Sequence, residues 1–403
     1  MQLSPGDRKN ENNKPEETMP SALFTPIQLR DLTLANRIVV SPLCQFSAVD
    51  GNATPWHVQN AGSYAISGAG LVILEATAVN AQGRITLPCL GLYSDDNEAA
   101  LTALVQGARV FSRTPIGIQL SHAGRKASTR PTWELAKGHN LKPEEGAWPL
   151  VAPSAEPFAE GWPVPKELDS QGLSEVLDDF VTATRRAERC GFDMIEVHTA
   201  HGYLLHQFLS PLSNHRTDRY GGTAEKRMQF PLEVIAAMRA AWPKGKPMGV
   251  RVTGRDFNDG GLELDDAVMF TAALKEIGID YVTPSAGNVA PGMKLPKIEP
   301  GYMVPFAEYI GSRTGMPTMA VGLIVEPHQA NDIIASGKAD MVAIGRAFMD
   351  NPRWGWHAAA ALGEEPHIPP PHNRVNPKVW PAFEMLHGKS GRLAEGMGHM
   401  TRE

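Results

Sequence analysis

Cysteine is scarce in this chain: three residues in 403, Cys44, Cys89 and Cys190, with no CxxC pair. That excludes a disulfide scaffold and points to a reducing, cytoplasmic setting. Long apolar runs are missing as well; none approaches the roughly 18 residues that a membrane-spanning helix needs. Excess positive charge is absent, and a net charge of −6 argues against nucleic acid as a partner. No HExxH or cysteine cluster is present, so no metal centre is expected. No GxGxxG follows the first strand-like run, which argues against a doubly wound dinucleotide fold. HGKS around Lys389 imitates the end of a phosphate-binding Walker loop, but Phe383 stands where its first glycine is required. Residues 1–20 are polar, carry both charge signs and lack an apolar stretch, so they read as a disordered tail and not a signal peptide.

What is present is alternation. Eight short apolar runs read as strands: Ile38–Val40, Leu71–Glu75, Ile116–Leu120, Met194–Val197, Met248–Val252, Tyr281–Thr283, Thr318–Val321 and Met341–Ile344. Each is apolar on both faces, as a parallel sheet covered by helices requires. Between them lie amphipathic segments, Leu173–Arg189, Ala224–Ala241, Leu264–Ile277, Tyr302–Ser312, Pro327–Ser336 and Arg346–Leu362. Gly191, Gly278 and Gly337 follow three of them as helix-ending glycines. This order predicts a single (β/α)8 TIM barrel over residues 21–363, followed by a tail over 364–403 that is loosely ordered or makes an oligomer contact. One connection is long. Residues 121–171, between the third strand and third helix, are rich in Pro, Trp and Gly and are expected to cap the mouth of the barrel.

Barrel active sites gather at the C-terminal ends of the strands. Here those ends carry Ser41-Pro42-Leu43-Cys44, Glu75-Ala76, Gln119, then His198, His201 and Tyr203, then Arg251, Gly322 and Gly345-Arg346. The most informative stretch is HTAHGYLLHQFLSPLSNHRTDRYGG at 198–222. Two imidazoles three apart can hold one anionic oxygen, and a phenol two residues on can give a proton to a neighbouring atom. A His-rich structural turn and a metal site are the other readings of HxxH. Glycines after strands seven and eight with Arg346 suit a phosphate, and with Gln119 and Arg251 they suggest a phosphorylated planar cofactor.

These motifs, with LFTPIQLRDLTLANRIVVSPLCQFSA, EATAVNAQGRI, GIQLSHAGRKA, AVGLI and AIGRAFMDNP, resemble the old yellow enzymes, flavin-dependent ene-reductases. The likeness is to the thermophilic-like class that includes xenobiotic reductases, and it runs from about Leu23 to Leu362. The resemblance implies FMN as cofactor, NADPH or NADH as reductant and a ping-pong reaction on an enone-type small molecule. It implies flavin contacts from Ser41, Pro42, Leu43, Cys44, Ala76, Gln119, Arg251, Gly322, Gly345 and Arg346. Cys44 would tune the flavin, His198 and His201 would bind the substrate carbonyl, Tyr203 would donate the proton, and Lys126 would shape the entrance. A homodimer or homotetramer is implied.

The likeness departs at three places. Phe46 stands where the class commonly has Tyr, removing one hydroxyl from the substrate side. Val321 stands near a Trp of the xenobiotic reductases, which implies a roomier pocket. The tail beyond His367 does not match the class ending, leaving Arg374 and Trp380 as candidates for a contact with a neighbouring subunit. Competing readings are the same flavin barrel working on a CoA ester, nitro compound or aromatic as reductase, hydroxylase or demethylase; a dienoyl-CoA reductase, against which the lack of iron–sulfur cysteines argues; a lyase, which would want a lysine inside a strand; and a binding module without catalysis.

Overall fold

The computed structural model describes residues 21–383, so the predicted N-terminal tail, the Lys389 motif and the last part of the C-terminal tail lie outside it. Eight strands form one parallel sheet: β1 Ile38–Val40, β2 Leu71–Ala78, β3 Ile116–Ser121, β4 Met194–Thr199, β5 Met248–Arg255, β6 Tyr281–Ala286, β7 Met319–Ala320 and β8 Met341–Ile344. They pair in the order β6-β5-β4-β3-β2-β1-β8-β7. A parallel bridge between Val282 and Thr318 joins the two ends, closing the barrel and leaving no free edge.

Side-chain alternation builds the interior in layers. On β4, Ile195 and Val197 face outward into the cluster that also holds Phe180 and Val234 of the surrounding helices. Met194 faces inward, with Val39, Leu71, Tyr281, Met319 and Met341. A hairpin, Ile27–Leu29 paired antiparallel to Leu32–Leu34, adds Leu29 and Leu34 to that inner cluster and plugs the N-terminal end. Above the plug, the next inward residues are polar: Gln119, Glu196, Arg251 and Thr283, all buried.

That polar layer explains why most strands run past their predicted ends. β2, β3, β4, β5 and β6 continue by one to three residues beyond the apolar runs. Inside a barrel, polar inward groups can pair with one another, so the ladder need not stop where hydrophobicity does. His198 therefore lies within β4 and not beyond it, as the apolar run had suggested.

The helices are α1 Pro55–Ala65, α2 Asp95–Arg109, α3 Ser170–Arg189, α4 Leu204–Leu209, α5 Ala224–Ala241, α6 Leu264–Ile277, α7 Val304–Thr314, α8 Pro327–Ala335, α9 Arg346–Asp350 and α10 Trp354–Ala361. The predicted single helix Arg346–Leu362 is two, because Pro352 lacks the N–H that a helix interior needs. Gly191, Gly278 and Gly337 all take positive φ at helix ends.

The 121–171 excursion holds three short 3-10 turns and a two-stranded pair, Val151–Ala152 with Lys166–Glu167. Buried Arg130 organises it, reaching the carbonyl of Asn140 and the carboxylate of Glu145. Beyond Gly363, Pro370–Val375 forms a 3-10 turn, and His372 packs on Trp356 of α10 at 5.6 Å between ring centroids. His367 and Pro369 border Gly68 and Pro115 at the N-terminal end of the barrel, away from this chain's own mouth. Arg374 is exposed and Trp380 packs against Phe383.

Candidate active site

Backbone strain marks the mouth. Among the described residues, eight non-glycine residues have positive φ, and all but Arg30 lie in loops leaving the C-terminal ends of strands: Phe46, Asp50, Ser128, His201, Phe257, Asn288 and Leu323. Such conformations persist where surrounding contacts enforce them, and they concentrate at functional sites.

The loop after β1 begins at buried Ser41, whose N–H donates to the Ile344 carbonyl on β8 at 3.0 Å. Gln45 N–H donates to Glu75 Oε2 at 2.9 Å. Burial, and then the nearby Glu75 carboxylate, pushes the Cys44 thiol well above its ordinary value. Cys44 is thus held as a neutral thiol. Phe46 presents its ring to the edge of Trp133 from the excursion, at 5.9 Å.

A cleft of about 760 Å³ opens beside this loop and draws on Ser41, Leu43, Arg251, Val321, Gly322, Gly345 and Arg346. It unites β1, β5, β7 and β8. Arg251 is 8% exposed, its Nη1 reaches Ser41 Oγ at 3.4 Å, and its Nε has no hydrogen-bond partner. A buried guanidinium N–H left without an acceptor calls for one from outside the protein. Gln119 Nε2 donates to Glu196 Oε1 at 2.7 Å, which fixes which way its amide faces. Gly322 has φ +108°, and a Cβ there would come within 2.9 Å of the Met303 side chain, so only glycine keeps this wall of the cleft in place. Ala76 is buried on β2, in register with Gln119. Arg346 is exposed at the start of α9.

His198, His201 and Tyr203 come together at the end of β4. The His198 ring lies 4.9 Å from each of the other two, edge to face. His198 Nδ1 accepts the Ala200 N–H at 3.1 Å, which puts its proton on Nε2. His201 Nε2 lies 2.7 Å from Ser285 Oγ on β6. Burial, and then the Arg251 charge, holds both imidazoles well below their ordinary value. Both are therefore neutral hydrogen-bond donors near pH 7. Burial, and then Cys44, pushes the Tyr203 phenol well above its ordinary value, so it keeps its proton. Neutral donors converging near a protonated phenol suit an oxygen that gains charge beside an atom that gains a proton.

Lys126 is tied into this site and is not a free surface lysine. Its Nζ donates to the carbonyls of His201 at 2.8 Å and Asn288 at 2.9 Å. Burial, and then Arg125, pulls its ammonium down to about 7. Lowering a lysine from its ordinary 10.5 means that the unfolded chain binds the extra proton between those values, so this group makes stability rise with pH across that window. The melting temperature of Lys126→Met, minus that of the native chain, is expected to fall steadily from pH 7 to pH 10. A difference that stays flat shows that Lys126 titrates as an ordinary lysine.

Several site-building residues escaped the sequence reading. Glu196 was visible only as a single acid inside an apolar strand run, a signal worth heeding. His206 has no acid near it in sequence; its companion is Asp256, 2.9 Å away and 50 residues later.

The model of the NADH:flavin oxidoreductase / NADH oxidase family matches residues 22–365. NADPH dehydrogenases from Geobacillus thermodenitrificans (strain NG80-2) and Bacillus subtilis (strain 168) are each 42% identical to the chain, covering 88% of it and 99% and 98% of their own lengths. Morphinone reductase superposes with a TM-score of 0.70 at 28% identity, over 87% of this chain and 91% of that one. A 2-naphthoyl-CoA reductase complex shares the fold at a TM-score of 0.75 and 20% identity, and this chain spans 52% of that longer protein. The barrel, the cleft with its unpaired arginine and these likenesses lead to one conclusion: the chain belongs to the NADH:flavin oxidoreductase / NADH oxidase family, the old yellow enzymes, and is an FMN-dependent oxidoreductase that draws its electrons from a nicotinamide.

Proposed function

We propose that the protein is an ene-reductase that takes NADPH or NADH as reductant and reduces the carbon–carbon double bond of α,β-unsaturated carbonyl compounds. The observation that carries this reading is the grouping of two neutral imidazoles and a protonated phenol beside buried Arg251. FMN, when bound, would supply the chemistry the side chains lack, hydride transfer between a nicotinamide and a substrate carbon. Arg251, Gln119, Ala76, the Ser41–Cys44 backbone, Gly322, Gly345 and Arg346 are the residues that would hold it; the unpaired Arg251 Nε fits an electron-rich ring edge. His198 and His201 bind the substrate oxygen and stabilise the negative charge that grows there. Tyr203 delivers its proton to the α-carbon. Cys44, uncharged, would border the ring and tune it.

Phe46 supports a preference for less polar substrates, since no hydroxyl meets the substrate at that position and a polar substrate group would go unpaired. Val321 in the cleft wall supports room for bulkier ones. A dimer or tetramer fits the family.

The purified protein is expected to be yellow, to bleach with NADPH under anaerobic conditions and to regain colour when cyclohexenone is added. Bleaching without recovery overturns ene-reduction of simple enones and points to a CoA-linked, nitro or aromatic oxidant. A preparation that stays colourless after added FMN overturns the assignment of these residues to the flavin.

A further inference from the structure

The turn His201-Gly202-Tyr203 carries two of the three substrate-side groups, and its backbone is held from several elements. Lys126 Nζ takes the His201 carbonyl. Gln207 takes the carbonyls of Gly202 and Tyr203, at 2.7 Å through Nε2 and 2.8 Å through its own N–H. The Gly202 N–H donates to His206 Nδ1 at 2.7 Å. His201 and Gly202 both take positive φ, +58° and +74°, and a Cβ on Gly202 would lie 2.2 Å from the Asn288 carbonyl. A turn this constrained holds its shape only while its anchors hold.

The His206 anchor is backed by an acid. His206 Nε2 lies 2.9 Å from Asp256 Oδ1, and both residues are fully buried. Asp256 Oδ2 accepts from Ser210 Oγ at 2.7 Å and from the Leu262 N–H at 2.8 Å. Burial pushes the Asp256 carboxyl up, but His206, the Leu262 N–H and Ser210 outweigh it and hold the carboxyl below its ordinary value. With Nδ1 accepting, His206 carries its proton on Nε2 and gives it to the carboxylate in a hydrogen bond. Asp256 directly follows β5, the strand that bears Arg251.

We infer that His206 and Asp256 are a positioning pair for the reaction: Asp256 fixes the tautomer of His206, and His206 Nδ1 fixes Gly202, which sets His201 and Tyr203 relative to Arg251. This rests on the reading of His201 and Tyr203 as substrate-side groups. The pair touches no reacting atom; His206 Nδ1 also lies 3.3 Å from Thr253 Oγ1, but its 2.7 Å bond to Gly202 is the contact that reaches the turn. The same logic sets histidine orientation wherever a carboxylate holds the far nitrogen.

Two substitutions separate positioning from stability. In His206→Gln the amide nitrogen can stand near Nε2, keeping Asp256 satisfied, but no acceptor remains for Gly202. In His206→Asn the amide oxygen can stand near Nδ1, keeping the Gly202 bond, while Asp256 loses a donor. Each holoenzyme is titrated with 4-hydroxybenzaldehyde, whose phenolic oxygen stands in for the substrate oxygen, and its melting temperature and rate of flavin reduction by NADPH are measured. Losing one buried hydrogen bond is expected to weaken the ligand about tenfold in the Gln variant, with a small fall in melting temperature and flavin reduction near the native rate. The Asn variant is expected to melt lower yet bind within about threefold of native. Ligand affinity that simply follows melting temperature in both overturns the inference. If the native enzyme does not bind the phenol, the reading of the imidazoles fails, and exchange of the Gly202 amide proton then decides this inference alone. Faster exchange in the Gln variant than in the Asn variant sustains it, and equal exchange overturns it.

Discussion

Tyr203→Phe is expected to slow reoxidation of the reduced enzyme by cyclohexenone by about 10²- to 10³-fold, within the range that a positioned general acid contributes, while reduction by NADPH proceeds at the native rate. The phenol is half-buried and held well above its ordinary value by desolvation, with Cys44 and Cys89 nearby adding to that effect. It is therefore a proton reservoir and not an anion. Its backbone is fixed on both sides by Ala200 and Gln207. The ring stays and only the proton goes, so FMN content and melting temperature serve as controls. Stopped-flow absorbance separates the two half-reactions. An unchanged oxidative rate removes Tyr203 from the mechanism.

His198→Ala is expected to weaken binding of 4-hydroxybenzaldehyde and to lower the rate of reoxidation by cyclohexenone by about 10²-fold, the usual cost of one lost donor to a developing oxyanion. FMN should be retained. The imidazole is 3% exposed, and its Nδ1 is committed to Ala200. One N–H remains to donate, and alanine cannot replace it. His201 keeps a partner in Ser285, so the effect of losing His198 is not shared out between them. Loss of FMN in parallel with the ligand shows that His198 supports the cofactor and not the substrate oxygen. The two substitutions together test the proposed roles at two atoms of one substrate, the oxygen for His198 and the carbon two bonds away for Tyr203.

How far the site was legible depended on the distance between partners. The His198-His201-Tyr203 group lies within six residues, and a strand followed by a tight turn brings it together whatever the rest of the chain does. Arg251 and Gln119 were legible because each is a polar residue inside or beside an apolar run, which in a barrel can only face inward. By contrast, only the family resemblance placed Lys126 at the entrance, and nothing local indicates that Asn288, 162 residues later, supplies a carbonyl for it. Asp256 looked like a loop acid, and Glu196 an interruption in a strand.

The sequence by itself determined the architecture. Apolar runs of strand length, helical stripes between them and glycines at helix ends leave few alternatives to a closed parallel barrel, and Pro352 in the chain already breaks the last predicted helix. The tertiary structure alone decided where strands end, because the polar inner layer of Gln119, Glu196, Arg251 and Thr283 extends ladders beyond the hydrophobic signal. It alone decided which buried polar groups have partners: Glu196 takes three, from Gln119, Tyr281 and Thr283, and Arg251 Nε has none. The reason is physical. Local periodicity reports whether a residue is buried, but the identity of its neighbour is set by strand order and register, which join positions far apart in the chain.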